Sequence, residues 1–197
     1  MNAALPLQAV QALDASASSG PAAAPAVSQQ LFRNAMAKLP AAVHIITTDG
    51  PAGKAGITAS AVCSLSDSPP TLIVCLNRDA RARHCAVANG RLAVNVLGQD
   101  SQELSAVFAG QRGLEMPERF ATGAAWQPLD TGAPVLQDAV CAFDCLIDSV
   151  QEVGSHSVLI CRVLAISPLK AAPNLLYHDR QYKVCPPTVP PAAPTHP

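Results

Sequence analysis

Four short hydroxyl side chains lie close together at the start of the stretch from Gly56 to Arg78, and their types and spacing could do chemistry. They are Thr58, Ser60, Ser64 and Ser66. Hydroxyls among small residues let backbone N–H groups approach an anion closely, as binding of a phosphate monoester requires. Guanidinium groups that follow the stretch would add charge-assisted hydrogen bonds, and Asn77 offers a donor and an acceptor to a planar heterocycle. The alternative, which spacing alone favours, is a serine-rich loop whose hydroxyls cap its own turns.

Other kinds of catalytic site have no support in the sequence. We find no G-x-G-x-x-G after a strand, no G-x-x-x-x-G-K-[ST], no H-E-x-x-H and no G-x-S-x-G. The seven cysteines form no C-x-x-C pair, and no Cys/His group has zinc-ligand spacing, so we expect no metal site. Most cysteines lie in apolar runs, which is typical of small buried hydrophobes in a reducing compartment such as the cytoplasm.

Composition predicts one neutral globular domain. Of the 197 residues, 49% are apolar and 14% are charged, and the formal net charge is −1. The chain has no basic stripe that would bind nucleic acid. No apolar run approaches the roughly 20 residues of a membrane helix. We expect a disordered Ala/Pro/Ser-rich leader at 1–27 without a secretory signal, a folded domain at 28–185 and a disordered Pro-rich tail at 186–197.

Helix signals flank the hydroxyl-rich stretch on both sides. Ser28 is expected to cap a helix with one apolar face. A second, short helix over 79–89 should end at Gly90. Asp100 and Glu103 have the capping-box spacing for a third helix.

Strand signals make up most of the remaining domain. β-branched runs predict strands at 42–48 and 54–64, and TLIVCL, which lacks alternation, is typical of a strand covered on both faces. In VCAFDCLIDSV we expect Asp144 and Asp148 to lie on a solvated strand face. About seven strands with few helices and short turns predict a mainly β fold, a closed antiparallel barrel.

The run TTDGPAGKAGITASAVCSLSDSPPTLIVCLNR resembles the flavin reductase family, which is built on the FMN-binding split β-barrel, a Greek-key antiparallel barrel. The likeness is greatest to the reductase partners of two-component monooxygenases, of the pyrimidine-utilisation and 4-hydroxyphenylacetate types. It covers about residues 31–184. Further matching segments are FRNAMAKLPAAVHIITT, GRLAVNVL, QELSAVFAG, ERF and GSHSVLICRVLAI.

The resemblance implies a set of site residues. The segment along the flavin corresponds to Thr58, Ala59, Ser60, Ala61 and Ser64, and the loop that contacts the phosphate corresponds to Asn77, Arg78, Arg81 and Arg83. His156, in Gly154-Ser155-His156, corresponds to the nicotinamide side, and Tyr177, Arg180 and Tyr182 border the same site. The chain departs from the family where Asn-x-x-Ser is common, because Ala80 stands at the serine position.

The function implied is an NAD(P)H-dependent flavin reductase that transfers hydride from NADH or NADPH to FMN or FAD and supplies reduced flavin to a partner monooxygenase. A non-catalytic flavin-binding protein on the same barrel is the alternative, and an oxidase acting on pyridoxamine phosphate is a third. Hydride transfer agrees with the small number of candidate catalytic side chains in the sequence, because the cofactors themselves carry out the chemistry. We also expect a homodimer, since strands such as SVLICRVLAI are apolar on both faces and few helices are available to cover them.

Overall fold

The computed structural model describes residues 27–187, which form a mainly β domain with a few short helices. The helices are α1 (Gln29–Met36), α2 (Arg81–Asn89), α3 (Gln102–Phe108, after a 3-10 turn at Gln99–Ser101) and α4 (Met116–Phe120). The first six strands are β1 (Ala41–Ala42), β2 (His44–Thr48), β3 (Ala55–Ala59), β4 (Val62–Asp67), β5 (Pro70–Asn77) and β6 (Arg91–Val96). The remaining strands are β7 (Trp126–Pro128), β8 (Pro134–Leu136), β9 (Cys141–Val153), β10 (His156–Ile166), β11 (Asn174–His178) and β12 (Gln181–Cys185). The predicted leader and tail lie outside the described residues except for residues 27, 186 and 187.

A seven-stranded antiparallel sheet, in the order β3-β2-β6-β9-β10-β5-β4, organises the domain. Its two edge strands, β3 and β4, are consecutive in the chain and are joined only by Ser60 and Ala61. The sheet must therefore curl until its opposite edges meet at this link. Within residues 27–187, however, β3 and β4 do not pair. The mainly antiparallel β fold is confirmed, and the barrel is split at this point instead of being closed by hydrogen bonds.

The split corrects the prediction of one strand over 54–64. The chain leaves β3 after Ala59 and enters β4 at Val62, and the Val62 N–H donates to the Ser60 carbonyl at 3.1 Å. The Ala61 carbonyl already accepts from the Cys75 N–H of β5 at 2.9 Å. The strand signal is continuous because both halves are β-branched and small, but the two halves belong to opposite edges of the sheet.

Both faces of the central strands are buried, which explains a second correction. One core cluster contains Ile45 and Phe108, and another, on the opposite face of the sheet, contains Ile46 and Cys145. Asp144 therefore lies fully buried, where it accepts hydrogen bonds from the backbone N–H and hydroxyl of Thr131. The prediction of a solvated face is wrong for this residue because β9 runs between two cores. Asp148, farther along the same strand, is exposed as expected and pairs with Arg162.

The helix ends follow the sequence signals in two of three cases. The Ser28 hydroxyl accepts from the Leu31 N–H at 3.2 Å and caps α1, and Gly90, with φ of 69°, ends α2. The capping box at Asp100 and Glu103 is not formed, because the carboxylate of Glu103 pairs with Arg112 instead. A capping box forms at α4, where the Glu115 N–H donates to Glu118.

The strand TLIVCL is covered on one face only within the described chain. Its inward residues Leu72, Val74 and Leu76 are buried, whereas the outward Ile73 and Cys75 are only half-buried. The single chain thus buries one face of this strand fully and the other only in part, and burial of both faces stays a prediction for the dimer. An apolar outer surface remains on this side of the sheet.

Candidate functional site

A concave cavity of about 180 Å³ lies where β3 ends, and it collects five of the predicted site residues. They are Thr58, Ala59, Ser60, Tyr177 and Tyr182. The strand brings the first three to the split, while the β11–β12 hairpin brings the tyrosines from the far end of the chain. Residues separated by more than 100 positions thus share one small cavity.

Hydrogen bonds fix the walls of this cavity. The Tyr182 hydroxyl lies 2.9 Å from the Ser105 hydroxyl of α3, and the Thr58 hydroxyl donates to the Ser105 carbonyl at 2.7 Å. The rings of Tyr177 and Tyr182 meet edge to face with centroids 5.4 Å apart. Thr58 therefore anchors α3, and the exposed Ser60 is the hydroxyl of this segment that is better placed for a ligand. Ser105 is a member of this site that the sequence analysis missed.

A second cavity, of about 320 Å³, continues along β3 from Gly56 and Ile57. Ala109 lines both cavities, so the two are neighbours along β3, and we call the pair the β3 groove. At 180 Å³ the first cavity is smaller than the roughly 300 Å³ at which small-molecule sites begin, and the second is within that range. A cofactor-sized molecule would therefore have to span both cavities.

The far end of the β3 groove is cationic. Arg81 and Arg119 both line it, together with Glu115 and the first residues of α2, so the two cations outnumber the one carboxylate. The N-cap of α2, Ala80, has no side-chain hydrogen bond to the helix, so the first N–H groups of this nine-residue helix are not capped. Two guanidinium groups and a helix N-terminus favour an anion. Arg119 was not assigned a role from the sequence, although it lies in the quoted ERF segment.

The other two arginines of the predicted phosphate loop, Arg78 and Arg83, form ion pairs with a glutamate instead. Arg83 and Arg78 both contact the carboxylate of Glu152, and the Arg78 Nε–Glu152 Oε2 distance is 3.2 Å. The Arg83 Nε also donates to the Ser157 hydroxyl at 2.8 Å. Of the three arginines predicted in the phosphate loop, Arg81 is thus the one that lines the groove. Glu152 is a charged residue that the sequence analysis did not single out.

Asn77 and His156 are neighbours across the β5–β10 ladder, where they are paired in register. The Asn77 side chain accepts from the Asp79 N–H at 2.8 Å and shapes the turn into α2. His156 is exposed and lies 2.9 Å, through Nδ1, from the Ser155 hydroxyl. The structure therefore brings together the predicted phosphate loop and the predicted nicotinamide-side histidine.

Three further predicted residues, like Asn77, Arg78, Arg83 and His156, lie outside both cavities. Ala61 and Ser64 are exposed at the split and on edge strand β4. Arg180 donates to the Asn34 side chain at 2.6 Å and tethers α1 to the β11–β12 turn. Their part in ligand binding stays a prediction.

A third cavity, of about 480 Å³, lies on another side of α3, and none of the predicted residues line it. Its polar lining includes the carboxylates of Asp100, Glu103 and Asp138, with Lys170 as a cation. Because most of these charges are negative, a phosphate would be disfavoured there. The β3 groove is therefore the better site for a phosphorylated ligand.

Nucleophilic and metal chemistry find no support in residues 27–187. Burial, with the nearby Asp144 carboxylate, raises the pKa of the Cys145 thiol to about 12, and burial also raises the pKa of Cys161. Buried thiols of this kind are inert. Over the same residues, no group of three or more His, Cys, Asp and Glu side chains is arranged to hold a metal ion. No helix in the described part of the chain is long and apolar enough to cross a membrane.

Known proteins are similar to this chain over about four fifths of its length. The model of the flavin reductase like domain matches residues 36–186. A protein of Ancylobacter novellus named FMN reductase (NADH) RutF is 51% identical over 164 residues, which are 83% of this chain and 89% of the relative. A crystal structure of a Haemophilus somnus protein described as a flavin reductase is 47% identical, with a TM-score of 0.76 over 80% of this chain and 99% of that one. The styrene monooxygenase flavin reductase of Pseudomonas putida S12 is 28% identical, with a TM-score of 0.70 over 80% and 99% of the two chains.

Proposed function

Because this chain belongs to the flavin reductase like domain family, we propose that it is an NADH-dependent FMN reductase. Relatives of about half-identical sequence that carry the name FMN reductase (NADH) support this choice of reaction. The observation that carries the proposal is the β3 groove, in which a cavity with hydroxyl and tyrosine side chains adjoins a cavity lined by two arginines and a helix N-terminus.

The groove matches the chemical parts of FMN. Arg81, Arg119 and the start of α2 provide the cationic surroundings that a phosphate monoester needs. Ser60 and the backbone of β3 offer hydrogen-bonding groups for a polyol chain. The two tyrosines supply apolar surface for a planar ring system at the other end. This assignment replaces the expected Asn-x-x-Ser contact with arginines, in agreement with Ala80 at the serine position.

When flavin and nicotinamide are bound, hydride passes between the two cofactors, so the protein needs no nucleophile or general acid. The task of the chain is to hold the two rings together in the correct geometry and to limit access of water. The small hydroxyl-rich surface of β3 and the inert buried thiols agree with that task. The exposed His156, on the hairpin next to the phosphate loop, is the side chain that we assign to the nicotinamide side.

We assign reduced flavin, released to a partner monooxygenase, as the product of this chain. The similarity to the styrene monooxygenase flavin reductase supports such a role. The seven unpaired cysteines agree with a reducing, cytoplasmic location.

A second copy of the chain is the partner that we assign to the apolar outer surface of β4, β5 and β10. Leu65 is 51% and Leu164 is 43% exposed there, and Ile73, Val158 and Ile160 are half-buried. The helices α2 and α3 pack against β2, β3 and β6 instead. An exposed apolar surface of this kind is typical of an interface, and a two-fold dimer would cover it. Light scattering over a dilution series should give the mass of a dimer, and a stable monomer that reduces flavin would contradict this assignment.

Oxidation of NADH and NADPH in the presence of FMN, FAD or riboflavin tests the reaction itself. We expect turnover with NADH that depends on added flavin. Tight flavin binding without NADH oxidation would instead indicate a non-catalytic flavin-binding protein.

Arg81→Ala tests the orientation of the flavin. Because Arg81 is exposed, its charge-assisted contact with the phosphate should be worth about 1.5 kcal/mol or less. Loss of this contact should raise the KM for FMN by up to about tenfold. The KM for riboflavin, which lacks the phosphate, should stay the same. Lys170→Ala, which removes a cation beside the other cavity, is the matched control. Equal effects of Arg81→Ala on FMN and riboflavin would contradict the assigned phosphate site.

Ser60→Ala and Asn77→Ala test the hydroxyl-rich stretch. Each removes a neutral hydrogen-bonding group worth about 0.5–1.5 kcal/mol, or about twice that if the group contacts the phosphate. Flavin affinity should therefore weaken more than stability. An unchanged KM for FMN in both variants would remove this stretch from the site.

A further inference from the structure

Glu152 connects two neighbouring segments that the proposed function assigns to different cofactors, the loop with Arg81 to the flavin and the hairpin with His156 to the nicotinamide. Its carboxylate contacts Arg83 at the start of α2 and Arg78 in the loop before that helix. Glu152 itself is at the end of β9, beside the hairpin that leads to His156. One carboxylate therefore joins the loop over 77–83 to the hairpin over 153–156.

The core of the connection is a closed triangle of hydrogen bonds. The Arg83 Nε donates to the Ser157 hydroxyl at 2.8 Å, and that hydroxyl donates to Glu152 Oε2 at 2.9 Å. Arg83 completes the triangle by pairing with Glu152 Oε1. Ser157 is fully buried, and the side chains of Arg83 and Glu152 are only 16% and 22% exposed. A network of this kind, partly removed from water, holds its members more firmly than an exposed ion pair does.

Arg78 extends the connection to the backbone of the hairpin. Its N–H donates to the Ser155 carbonyl at 3.0 Å, and its Nη1 donates to the Gly154 carbonyl at 3.3 Å. Its Nε lies 3.2 Å from Glu152 Oε2. The loop thus cannot move away from the hairpin without breaking contacts to Glu152 and to two backbone carbonyls.

We propose that Glu152 is a positioning residue for hydride transfer. This inference rests on the proposed function. Glu152 holds the flavin-side loop and the nicotinamide-side hairpin together as one rigid unit. When one cofactor binds, the surface that binds the other cofactor is therefore held in position. Misplacement of reacting groups by about 1 Å can cost on the order of 100-fold in rate, even when the altered residue does not touch either reactant.

Steady-state kinetics of three variants provide the first test. Glu152→Gln keeps the volume but not the charge, Glu152→Asp keeps the charge, and Glu152→Ala removes both. We expect kcat with NADH and FMN to fall by about tenfold or more in Glu152→Gln, while the KM for FMN changes less than about threefold. Glu152→Asp should retain more activity than Glu152→Gln. The isotope effect with 4-deuterated NADH should increase as hydride transfer becomes slower.

Asp138→Asn is the matched control. The carboxylate of Asp138 also pairs with a cation, Lys170, but the Asp138 side chain is 88% exposed. The variant should keep the wild-type kcat. Inactive wild-type protein would overturn the proposed function and this inference with it. Active wild-type protein, together with a Glu152→Gln variant of wild-type kcat, would overturn the inference alone.

Hydrogen–deuterium exchange gives a readout that does not depend on turnover. In the wild-type protein, FMN should slow exchange in the hairpin over 153–157 as well as in the loop over 77–83. In Glu152→Gln, FMN should still protect the loop but no longer the hairpin. Equal protection of the hairpin in both proteins would show that Glu152 does not couple the two segments and would overturn the proposal.

Discussion

Replacing Gly56 with alanine should damage both the core and the β3 groove, because this glycine lies between them. A Cβ at Gly56 would lie 2.6 Å from Phe108 Cε1 and 2.8 Å from Cδ1, well inside an ordinary carbon–carbon contact of about 3.5 Å. Phe108 cannot easily retreat. It is fully buried, and its ring packs edge to face against Phe120 and Trp126 with centroids 5.1 Å and 5.6 Å away.

Overpacking of this kind costs about 1–3 kcal/mol. For a chain of this size, each kcal/mol lowers Tm by about 2–4 °C. Gly56 also lines the groove, so any outward shift of β3 narrows the space for the ligand. We therefore expect Gly56→Ala to lower Tm and to raise the KM for FMN together.

Thermal unfolding and steady-state kinetics, measured on the same preparation, check this expectation. Gly98→Ala is the matched control. A Cβ there would make only ordinary contacts, at 3.6 Å from the Pro173 carbonyl and from Val140, and its φ of −81° suits any residue. It should change stability by no more than about 0.5 kcal/mol. If the Gly56→Ala and Gly98→Ala variants unfold at the same temperature, the close packing of β3 against Phe108 is not a real constraint.

Three further predictions follow from the burial or exposure of single side chains. Asp144→Ala should lower the free energy of unfolding by about 2–4 kcal/mol in chemical denaturation, because Thr131 loses two hydrogen bonds to a buried carboxylate; a change no larger than that of Asp148→Ala would contradict this. Burial lowers the pKa of His44 from its ordinary value of 6.5, so the unfolded chain binds the proton more tightly and the free energy of unfolding should fall as the pH decreases below about 6.5. Urea denaturation above and below that pH should show a smaller pH dependence in His44→Asn, and an equal dependence would exclude this histidine as the source. A maleimide should modify the exposed Cys185 in the native protein but not Cys145, whose pKa is raised to about 12; mass spectrometry that finds both modified equally would contradict the burial.

Much of the candidate site was predictable because it lies in one continuous segment. Thr58, Ala59 and Ser60 are adjacent in the chain, and their small and hydroxyl side chains are by themselves compatible with an anion site. Their meeting with Tyr177 and Tyr182 came from the family resemblance, not from spacing. Arg119 and Ser105 were missed because a lone arginine and a lone serine on short helices carry no pattern that marks them as part of a site.

The arginines show where the prediction from sequence ends. Arg78, Arg81 and Arg83 lie within one short segment, and nothing in their spacing separates them. In the structure, Arg83 and Arg78 contact Glu152, which follows them by about 70 positions, while Arg81 lines the groove. Only the pairing of β5 with β10, which brings the hairpin beside the loop, decides which guanidinium groups are neutralised.

The sequence by itself determined the caps at Ser28 and Gly90 and the segment that carries the hydroxyls, because each of these depends on residues that are close in the chain. It also determined the β-rich class and the family, through strand signals and matching segments spread over about residues 31–184. The tertiary structure alone decided that the strand over 54–64 breaks at Ser60, that Asp144 is buried and that Glu152 holds two of the three arginines. Each of these depends on which strands become neighbours in the curled sheet. A strand with the same alternation can face solvent on one side or lie between two cores, and long-range packing makes that choice.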